Sequence, residues 1–385
     1  MRIKIRRSNK GDECLSQKRC PLGPGPICAA SGAVPGPVRV LPGSYSGREH
    51  ESLMKDVDTG WLFQAKGMRE GRVMGGRAGS RPVHQGAALR PVFVTTHGAL
   101  FEGDCLHILP DLADACVDTV FADPPFNLGK DYGGNVNDSR ADEEYLGWCH
   151  RWIDECIRVL KPGGAFFLYN LPKWNVDLGH YLGRHGMQFR HWIAINIKFG
   201  LPISGRLYPS HYSLIYYTKG KAKTFRRIRT PIETCRHCGG EIKDYGGHRG
   251  AMNPDGVNLT DVWNDIPPVR HWKFKTKKRR ANALSTKVLD RVVELTTLPG
   301  ETVLDPFGGS GTTYAVCERK CRRWLGIELE SADVIMERLS SADLHYHPTR
   351  DFVEDDARSA SASPSRSAVS VVSPTRLRHR RALRR

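Results

Sequence analysis

The sequence predicts an α/β fold built on a doubly wound, mostly parallel sheet. Between residues 92 and 345, short apolar runs alternate with segments of helical periodicity, which is typical of parallel sheets. Two of these runs, at residues 117–122 and 302–304, end directly at an aspartate. Because ligands bind at the carboxyl edge of such sheets, the pattern indicates that both aspartates lie at one candidate binding edge.

The individual elements follow from their local patterns. Apolar residues recur at helical spacing from Tyr145 to Leu160, with Ser139 as the expected N-cap and Lys161-Pro162-Gly163-Gly164 as the expected stop. A second helix is predicted from Thr286 to Thr296, and a third from the glycine loop described below to about Arg319. Further apolar runs predict strands at residues 165–169, 191–198, 212–218 and 324–327.

Charge is the most informative bulk property. The chain of 385 residues has a formal net charge of +17, which favours a polyanionic partner such as nucleic acid. A basic tail accounts for part of this excess, because residues 358–385 contain eight arginines and no acid. Residues 1–91, rich in Gly and Pro, and residues 346–385, rich in Ser and Arg, are predicted to be disordered.

Two further properties concern the cellular setting. No apolar run reaches the ~20 residues of a membrane span, and no apolar stretch follows the basic N-terminus as in a signal peptide, so we expect a cytoplasmic protein without a membrane partner. The 11 cysteines are odd in number and scattered, which argues against a disulfide framework.

A glycine loop follows the predicted strand at residues 302–304. It reads Asp305-Pro306-Phe307-Gly308-Gly309-Ser310-Gly311-Thr312-Thr313 and leads into a predicted helix. Glycines allow the backbone to approach a ligand, and amides at a helix N-terminus can bind a carboxylate or a phosphate. Glu328 ends the next predicted strand, where an acid can hold both hydroxyls of a ribose. The alternative is an ordinary tight turn followed by an acid at a strand end.

A second loop, Asp123-Pro124-Pro125-Phe126, follows the strand predicted at residues 117–122. The Asp123 carboxylate and a backbone carbonyl, that of Pro124 by our interpretation, can accept both hydrogens of an exocyclic amine and orient its lone pair. The prolines fix φ and stiffen the loop, and Phe126 offers a flat face for an extruded base. A turn in which Asp caps and Pro ends the strand is the alternative.

With these loops, the sequence resembles the DNA amino-methyltransferases that make N6-methyladenine or N4-methylcytosine. The resemblance covers about residues 95–340, and the stretches that carry it are residues 101–105, 121–127, 160–169 and 303–313. Since the catalytic loop precedes the glycine loop, the order resembles the circularly permuted, beta-type subgroup. The resemblance implies a Rossmann-like methyltransferase fold whose cofactor is S-adenosylmethionine, with a catalytic half at residues 92–199 and a cofactor-binding half at residues 281–345.

The resemblance also implies residue roles. Residues of the glycine loop would surround the methionine part of the cofactor, Glu328 would take the ribose hydroxyls, and Asp104, next to Cys105, would bind the adenine amino group. Asp123 to Phe126 would hold the target base. The lysine-containing stretch that precedes the cofactor-binding helix in the family corresponds here to Asn282, Leu284 and Lys287, although its Ser-Thr differs from the usual proline-containing form.

The leading residue of the catalytic loop bears on the target base. In the family, DPPF is more typical of adenine-N6 enzymes and SPPY of cytosine-N4 enzymes, so the resemblance favours adenine N6. Methylation at cytosine C5 needs a cysteine nucleophile, normally in a Pro-Cys dipeptide, and the chain has no Pro-Cys. Direct transfer to an amine is therefore the predicted reaction, with N4-cytosine methylation as the alternative.

Residues 200–280 are predicted to form an inserted target-recognition region. Two basic stretches flank it, and interleaved aromatic residues suit phosphate contacts with stacking. The candidate contacts to double-stranded DNA are Lys219, Lys221, Arg226, Arg227, Lys273, Lys275, Lys277 and Lys278. A solvated charged loop is the alternative.

One cysteine pair stands apart from these motifs. Cys235 and Cys238 form a CxxC pair that supplies half of the four ligands of a structural zinc site, and a reduced pair in a turn is the favoured interpretation. Zinc is therefore a second, less favoured cofactor.

Several alternatives remain open on the sequence alone. One is a binding module on the same fold without catalysis, although the retained Asp123, glycine loop and Glu328 argue against it. RNA or a protein amide as the substrate is another. A restriction endonuclease partner and a homodimer are both compatible with the sequence.

Overall fold

The structure is a computed structural model. It describes residues 82–83, 89–129, 138–196, 204–205, 207, 209–234, 240, 246–247, 249–267, 283–347 and 349–353. The predicted disorder of the two ends therefore lies largely outside the described residues, and so do Cys235, Cys238, Asn282 and the lysines of the second basic stretch.

The strands alternate with helices along the chain. The strands are β1 (Phe93–Val94), β2 (Gly98–Glu102), β3 (Val117–Ala122), β4 (Leu160–Asn170), β5 (Gln188–Asn196), β6 (His211–Thr218), β7 (Ile228–Thr230), β8 (Val257–Asn258), β9 (Val262–Trp263), β10 (Thr302–Asp305), β11 (Arg323–Glu328) and β12 (Phe352–Val353). The α-helices are α1 (Cys105–Ile108), α2 (Asp142–Val159), α3 (Pro172–Arg184), α4 (Thr286–Thr296), α5 (Thr312–Arg319) and α6 (Asp333–Ser340).

Among the described residues, nine strands form one mixed sheet in the order β1-β2-β11-β10-β3-β4-β6-β5-β9. The five strands from β2 to β4 in this order are parallel, and β6 runs antiparallel between β4 and β5. The predicted doubly wound, mostly parallel sheet is confirmed. The strand with the DPPF loop and the strand with the glycine loop, β3 and β10, are direct neighbours.

Helices cover both faces of the sheet. On one face Trp152 of α2 and Leu178 of α3 pack against β3 and β4, and both side chains are fully buried. On the other face Leu289 of α4 and Tyr314 of α5 pack in a second buried cluster. This burial on both faces explains why strands such as β3 are mostly apolar in sequence instead of alternating between apolar and polar residues.

Two local predictions around α2 are wrong. The N-cap is Ala141, which makes no side-chain cap hydrogen bond, and Ser139 lies before it. The Lys161–Gly164 turn signal is part of β4, which starts directly after the helix. Gly163, at φ +79°, provides the left-handed backbone that this entry into the strand requires, and its N–H donates to the Lys219 carbonyl at 2.7 Å.

The segment 200–280 is not wholly separate from the main sheet. β6 lies inside the sheet between β4 and β5, and β9 forms its edge beside β5. β7 and β8 instead pair with β12 in a small three-stranded sheet. Within the described ranges, the structure contains no helix that is long and apolar enough to cross a membrane.

Candidate active site

The acids predicted to bind ligands lie at one edge of the sheet. Asp123, Asp305 and Glu328 stand at the carboxyl ends of β3, β10 and β11, and Asp104 follows β2. These four strands are parallel neighbours, so their carboxyl ends meet. The structure therefore brings together the residues that the sequence singled out at separate points of the chain.

The glycine loop is held by its own side chains. One Asp305 carboxylate oxygen accepts the Phe307 N–H at 2.9 Å, and the other accepts the Thr313 hydroxyl from the first turn of α5. Gly309 and Gly311 have φ of +57° and +71°, a region that disfavours residues with a Cβ. Pro306 and Ser310 are buried within the loop.

Gly308 is required for close approach. A Cβ there would lie 2.8 Å from the Tyr314 hydroxyl and 3.0 Å from the Ile327 carbonyl oxygen. The backbone of the loop thus packs directly on the end of β11, leaving no room for a side chain.

Glu328 ties the next strand to this loop. Its carboxylate accepts the Gly309 N–H at 2.6 Å, and its carbonyl oxygen accepts the Gly103 N–H at 2.8 Å. The buried guanidinium of Arg338, on α6, braces the same loop by donating to Thr312 Oγ1 at 2.8 Å and to the Ser310 carbonyl at 3.2 Å. Arg338 could not be predicted as part of the site, because an arginine on an amphipathic helix carries no sequence signal of this contact.

The electrostatics of the edge favour a cation. Burial raises the pKa of the Asp305 carboxyl to about 8, and the charges of Asp123 and Glu328 add to this effect. Three acids thus crowd one site in which the buried member holds a proton more strongly than usual. A positively charged ligand group placed beside Asp305 would relieve this unfavourable arrangement.

Asp104 and Cys105 lie at the neighbouring strand end. Asp104 caps α1 by accepting the Leu106 N–H at 2.9 Å, and the side chain of Cys105 also hydrogen-bonds to the Asp104 carboxylate. The Cys105 side chain is buried, and burial raises the pKa of its thiol well above its ordinary value. Cys105 is therefore a neutral packing residue beside the site.

Two side chains hold the DPPF loop by its backbone. The Tyr145 hydroxyl donates to the Pro125 carbonyl at 2.7 Å, and Trp174 Nε1 donates to the Phe126 carbonyl at 2.8 Å. None of the described residues donates a hydrogen bond to the Pro124 carbonyl, which is the acceptor assigned from the sequence.

The far end of the loop is clamped as well. The Asp138 carboxylate accepts the N–H groups of Asn127 and Leu128 at 2.6 and 3.1 Å. Asn127, at φ +56°, exchanges two further hydrogen bonds with the backbone of Arg140. The loop is therefore fixed before any substrate binds.

Phe126 differs from its predicted role as an open stacking face. Its side chain is only 8% exposed, and its ring lies 5.8 Å from that of Tyr169 and 5.7 Å from that of Tyr212. Burial raises the pKa of both tyrosine hydroxyls, and the charge of Asp123 adds to this rise, which places Asp123 beside this aromatic cluster. From the sequence alone, both tyrosines are predicted only as members of strands.

Leu284 and Lys287, from the lysine-containing stretch at the start of α4, have different surroundings. The Leu284 carbonyl oxygen lies 3.4 Å from Thr312 Oγ1, so this residue does border the glycine loop. The Lys287 ammonium instead pairs with Asp265 at 2.6 Å and lies 3.7 Å from Asp351. This ion pairing does not favour the predicted cofactor role of Lys287.

The first basic stretch lies at the opposite edge of the sheet. Thr218, which precedes it, pairs with Ala165 in the middle of β4, whereas Ser213 pairs with Asn170 at the carboxyl end, so the chain after Thr218 runs towards the amino end of β4. The Lys219 ammonium donates to the carbonyls of Ile157 and Leu160 at 2.7 and 2.8 Å, so it caps α2.

Arg226 is also used inside the fold, where its guanidinium pairs with the buried Glu294. Both cations therefore serve internal partners, and this does not favour the prediction that Lys219 and Arg226 contact DNA. Lys221 and Arg227 are exposed, but on the same far edge. Lys273, Lys275, Lys277 and Lys278 lie outside the described residues.

Comparison with known proteins identifies this arrangement. A family model for DNA methylases, N6_N4_Mtase, matches residues 117–335, which include both loops. The chain belongs to this family. The DNA methylase match begins at β3 and ends in α6, so it contains Asp123, Asp305 and Glu328.

Individual DNA methylases are similar over much of the chain. The type II methyltransferase M.BamHI of Bacillus amyloliquefaciens is 55% identical over 256 residues, covering 66% of this chain and 60% of that enzyme. The type II methyltransferase M.HpaI of Haemophilus parainfluenzae is 32% identical, covering 62% of this chain and 73% of that enzyme. The DNA adenine methyltransferase YhdJ of Escherichia coli (strain K12) is 28% identical, with 71% and 93% coverage. The chain thus matches less than two thirds of the length of the M.BamHI enzyme.

Proposed function

We propose that this protein transfers a methyl group from S-adenosylmethionine to the exocyclic amino group of a base in duplex DNA. The observation that carries the proposal is the fixed DPPF loop, whose Asp123 stands beside the buried Asp305 of the glycine loop in a member of the DNA methylase family. The names of the relatives, which include type II methyltransferases and a DNA adenine methyltransferase, support DNA as the substrate.

The residues at the carboxyl edge fit the cofactor chemically. S-adenosylmethionine carries an ammonium and a sulfonium, and its sulfonium methyl supplies the group to be transferred. The paired acids Asp123 and Asp305 provide the negative environment that such a cation needs. Glu328 offers a carboxylate for ribose hydroxyls, and the Asp104 carboxylate at the end of the neighbouring strand is assigned to the adenine amino group.

The DPPF loop prepares the amine. An exocyclic amine conjugated with its ring is a poor nucleophile, and two acceptors on its hydrogens localise its lone pair. Asp123 provides one acceptor and the Pro124 carbonyl the other, both in a loop that is rigid in advance. The target base must leave the duplex to reach this loop, and the neighbouring Tyr212, which is partly exposed, offers a ring for stacking.

The base proposed is adenine, at N6. The support is the leading Asp123 of the loop and the similarity to a DNA adenine methyltransferase. Cytosine N4 is the alternative product, since the same two acceptors would hold its amine equally well. Two further partners are proposed, a restriction endonuclease and a second copy of the chain. The type II names of the relatives support the endonuclease and give no support to the second copy.

The test is methyl transfer from labelled S-adenosylmethionine to a mixed-sequence duplex DNA, followed by nucleoside analysis. We expect labelled N6-methyladenine in the product. Labelled N4-methylcytosine would replace the adenine assignment and keep the reaction class. Cofactor binding without any labelled nucleoside would instead support a binding module without catalysis.

A further inference from the structure

Two aromatic side chains hold successive carbonyls of the catalytic loop. Tyr145, on α2, binds the Pro125 carbonyl, and Trp174, in the first turn of α3, binds the Phe126 carbonyl. Both side chains are buried, with exposed fractions of 1% and 3%, and their rings are 4.6 Å apart. The loop is thus anchored on the helices that cover one face of the sheet, opposite the face covered by α4 and α5.

The Tyr145 hydroxyl is itself fixed by a residue of the sheet. Asn170 Nδ2 donates to it at 2.9 Å, and Asn170 Oδ1 accepts the Leu171 N–H at 2.7 Å. Asn170 is fully buried at the carboxyl end of β4. A continuous chain of hydrogen bonds therefore runs from the end of β4 through Tyr145 to the loop.

The anchoring determines where the preceding carbonyl points. The carbonyl carbon of Pro124 forms the planar peptide bond to the Pro125 nitrogen, and the pyrrolidine ring fixes φ of Pro125. The two anchored carbonyls on its other side restrict ψ of Pro125. With both dihedrals constrained, the direction of the Pro124 carbonyl is set by the bonds to Tyr145 and Trp174.

We infer that Tyr145 and Trp174 are positioning residues, which aim the Pro124 carbonyl and the adjacent Asp123 carboxylate at the amine of the target base. The inference rests on the proposed function and adds residues that touch neither substrate nor cofactor. A purely structural role would affect stability alone. A positioning role affects the chemical step, because a small misplacement of an acceptor lowers the rate without weakening binding.

The test uses Tyr145→Phe and Trp174→Phe, with Tyr217→Phe as the matched control. Tyr217 is also a buried tyrosine whose hydroxyl donates to a backbone carbonyl, that of Gly179 at 2.9 Å, and it lies in β6 away from the catalytic loop. Methyl transfer is measured under single-turnover and steady-state conditions, together with the Kd for S-adenosylmethionine, the KM for DNA and the unfolding midpoint.

We expect the transfer rate of each loop variant to fall about 10- to 100-fold. KM for DNA and Kd for the cofactor should stay within about twofold of wild type, since ground-state contacts are retained. The Tyr217→Phe control should lose similar stability and keep its rate. Having Trp174→Phe as a second variant keeps the test valid if Tyr145→Phe does not fold.

Two different results would contradict the positioning role and the proposed function, respectively. Transfer rates of both loop variants equal to that of Tyr217→Phe would overturn the positioning role while the proposed function stands. A wild-type protein that binds S-adenosylmethionine but methylates no DNA would overturn the proposed function itself, and the positioning role with it.

Discussion

Asp123 and Asp305 end two neighbouring parallel strands, and the charge of Asp123 helps to raise the pKa of the buried Asp305 carboxyl. Burial is the largest cause, and together with the charge of Glu328 it brings this pKa from 3.8 to about 8. In the free protein Asp305 is therefore largely protonated at neutral pH. A cationic cofactor beside it favours the ionised form, so binding releases a proton below pH 8.

The expected consequence is a pH-dependent affinity for S-adenosylmethionine. The Kd should fall as pH rises towards 8, by at most about tenfold per pH unit, and level off above it. Titration calorimetry from about two pH units below the raised pKa of Asp305 to about one unit above it measures this dependence directly. Asp305→Asn should bind more weakly and with a flat pH profile, and an unchanged slope in that variant would contradict the assignment.

The same shift affects the stability of the free protein. Between pH 3.8 and pH 8 the folded state holds a proton on Asp305 that the unfolded chain releases. The contribution of this residue therefore lowers the free energy of unfolding as pH rises through that range. The dependence of the unfolding free energy on pH should therefore be weaker in Asp305→Asn than in wild type. Urea unfolding at several pH values measures it.

Two glycine substitutions should change stability in opposite directions. Gly308→Ala places a methyl 2.8 Å from the Tyr314 hydroxyl and 3.0 Å from the Ile327 carbonyl, so we expect a loss of about 1–3 kcal/mol and a weaker cofactor Kd. Gly147, exposed inside α2, has nothing within 4 Å of an added Cβ. Gly147→Ala should therefore gain about 0.5–1 kcal/mol. Equal effects of the two changes on unfolding would refute the packing argument.

Lys219 should matter for folding and not for DNA. Lys219→Met keeps the aliphatic stem but leaves the carbonyls of Ile157 and Leu160 without their donor, at a cost of about 1–3 kcal/mol in unfolding free energy. The DNA Kd and its salt dependence should match those of wild type. Lys221→Met, at an exposed position of the same stretch, serves as the stability control. If Lys219→Met instead weakened DNA binding and lowered its salt dependence while its unfolding free energy stayed at the wild-type value, Lys219 would be a phosphate contact.

Sequence patterns predicted the parts of the fold that depend on local periodicity. β3 and α4 have the predicted limits, Val117–Ala122 and Thr286–Thr296, because burial on both faces makes β3 mostly apolar and Pro299 follows the end of α4. Asp123, Asp305 and Glu328 were found for a similar reason, since each directly follows a mostly apolar run, whereas Asp104 was assigned through the family resemblance. The wrong N-cap at Ser139 and the wrong stop at Gly163 concern helix ends, where several residues satisfy the same local rule.

Contacts between distant residues lay beyond such patterns. Tyr145 and Trp174 lie 20 and 48 positions from the carbonyls they bind. On the sequence Tyr145 is an ordinary apolar member of a predicted helix, and Trp174 belongs to the helix Pro172–Arg184, which the periodicity did not predict. Lys219 looked like a DNA contact because its neighbours are basic. Its internal role depends on the antiparallel placement of β6, which carries it to the edge opposite Asp123.

The most direct test of the account is methyl transfer by Asp123→Asn, compared with wild type and with Asp177→Asn, which changes an exposed aspartate of α3. We predict that wild type and Asp177→Asn methylate duplex DNA with equal rates. The rate of Asp123→Asn should fall at least about 100-fold, because the amide oxygen of asparagine lacks the negative charge with which the carboxylate stabilises the developing positive charge on the amine. Its Kd for S-adenosylmethionine should rise by no more than about tenfold, because the charge of Asp123 near the cation is lost while Asp305 and the glycine loop are unchanged. An Asp123→Asn protein that methylates DNA as fast as wild type would contradict the central claim.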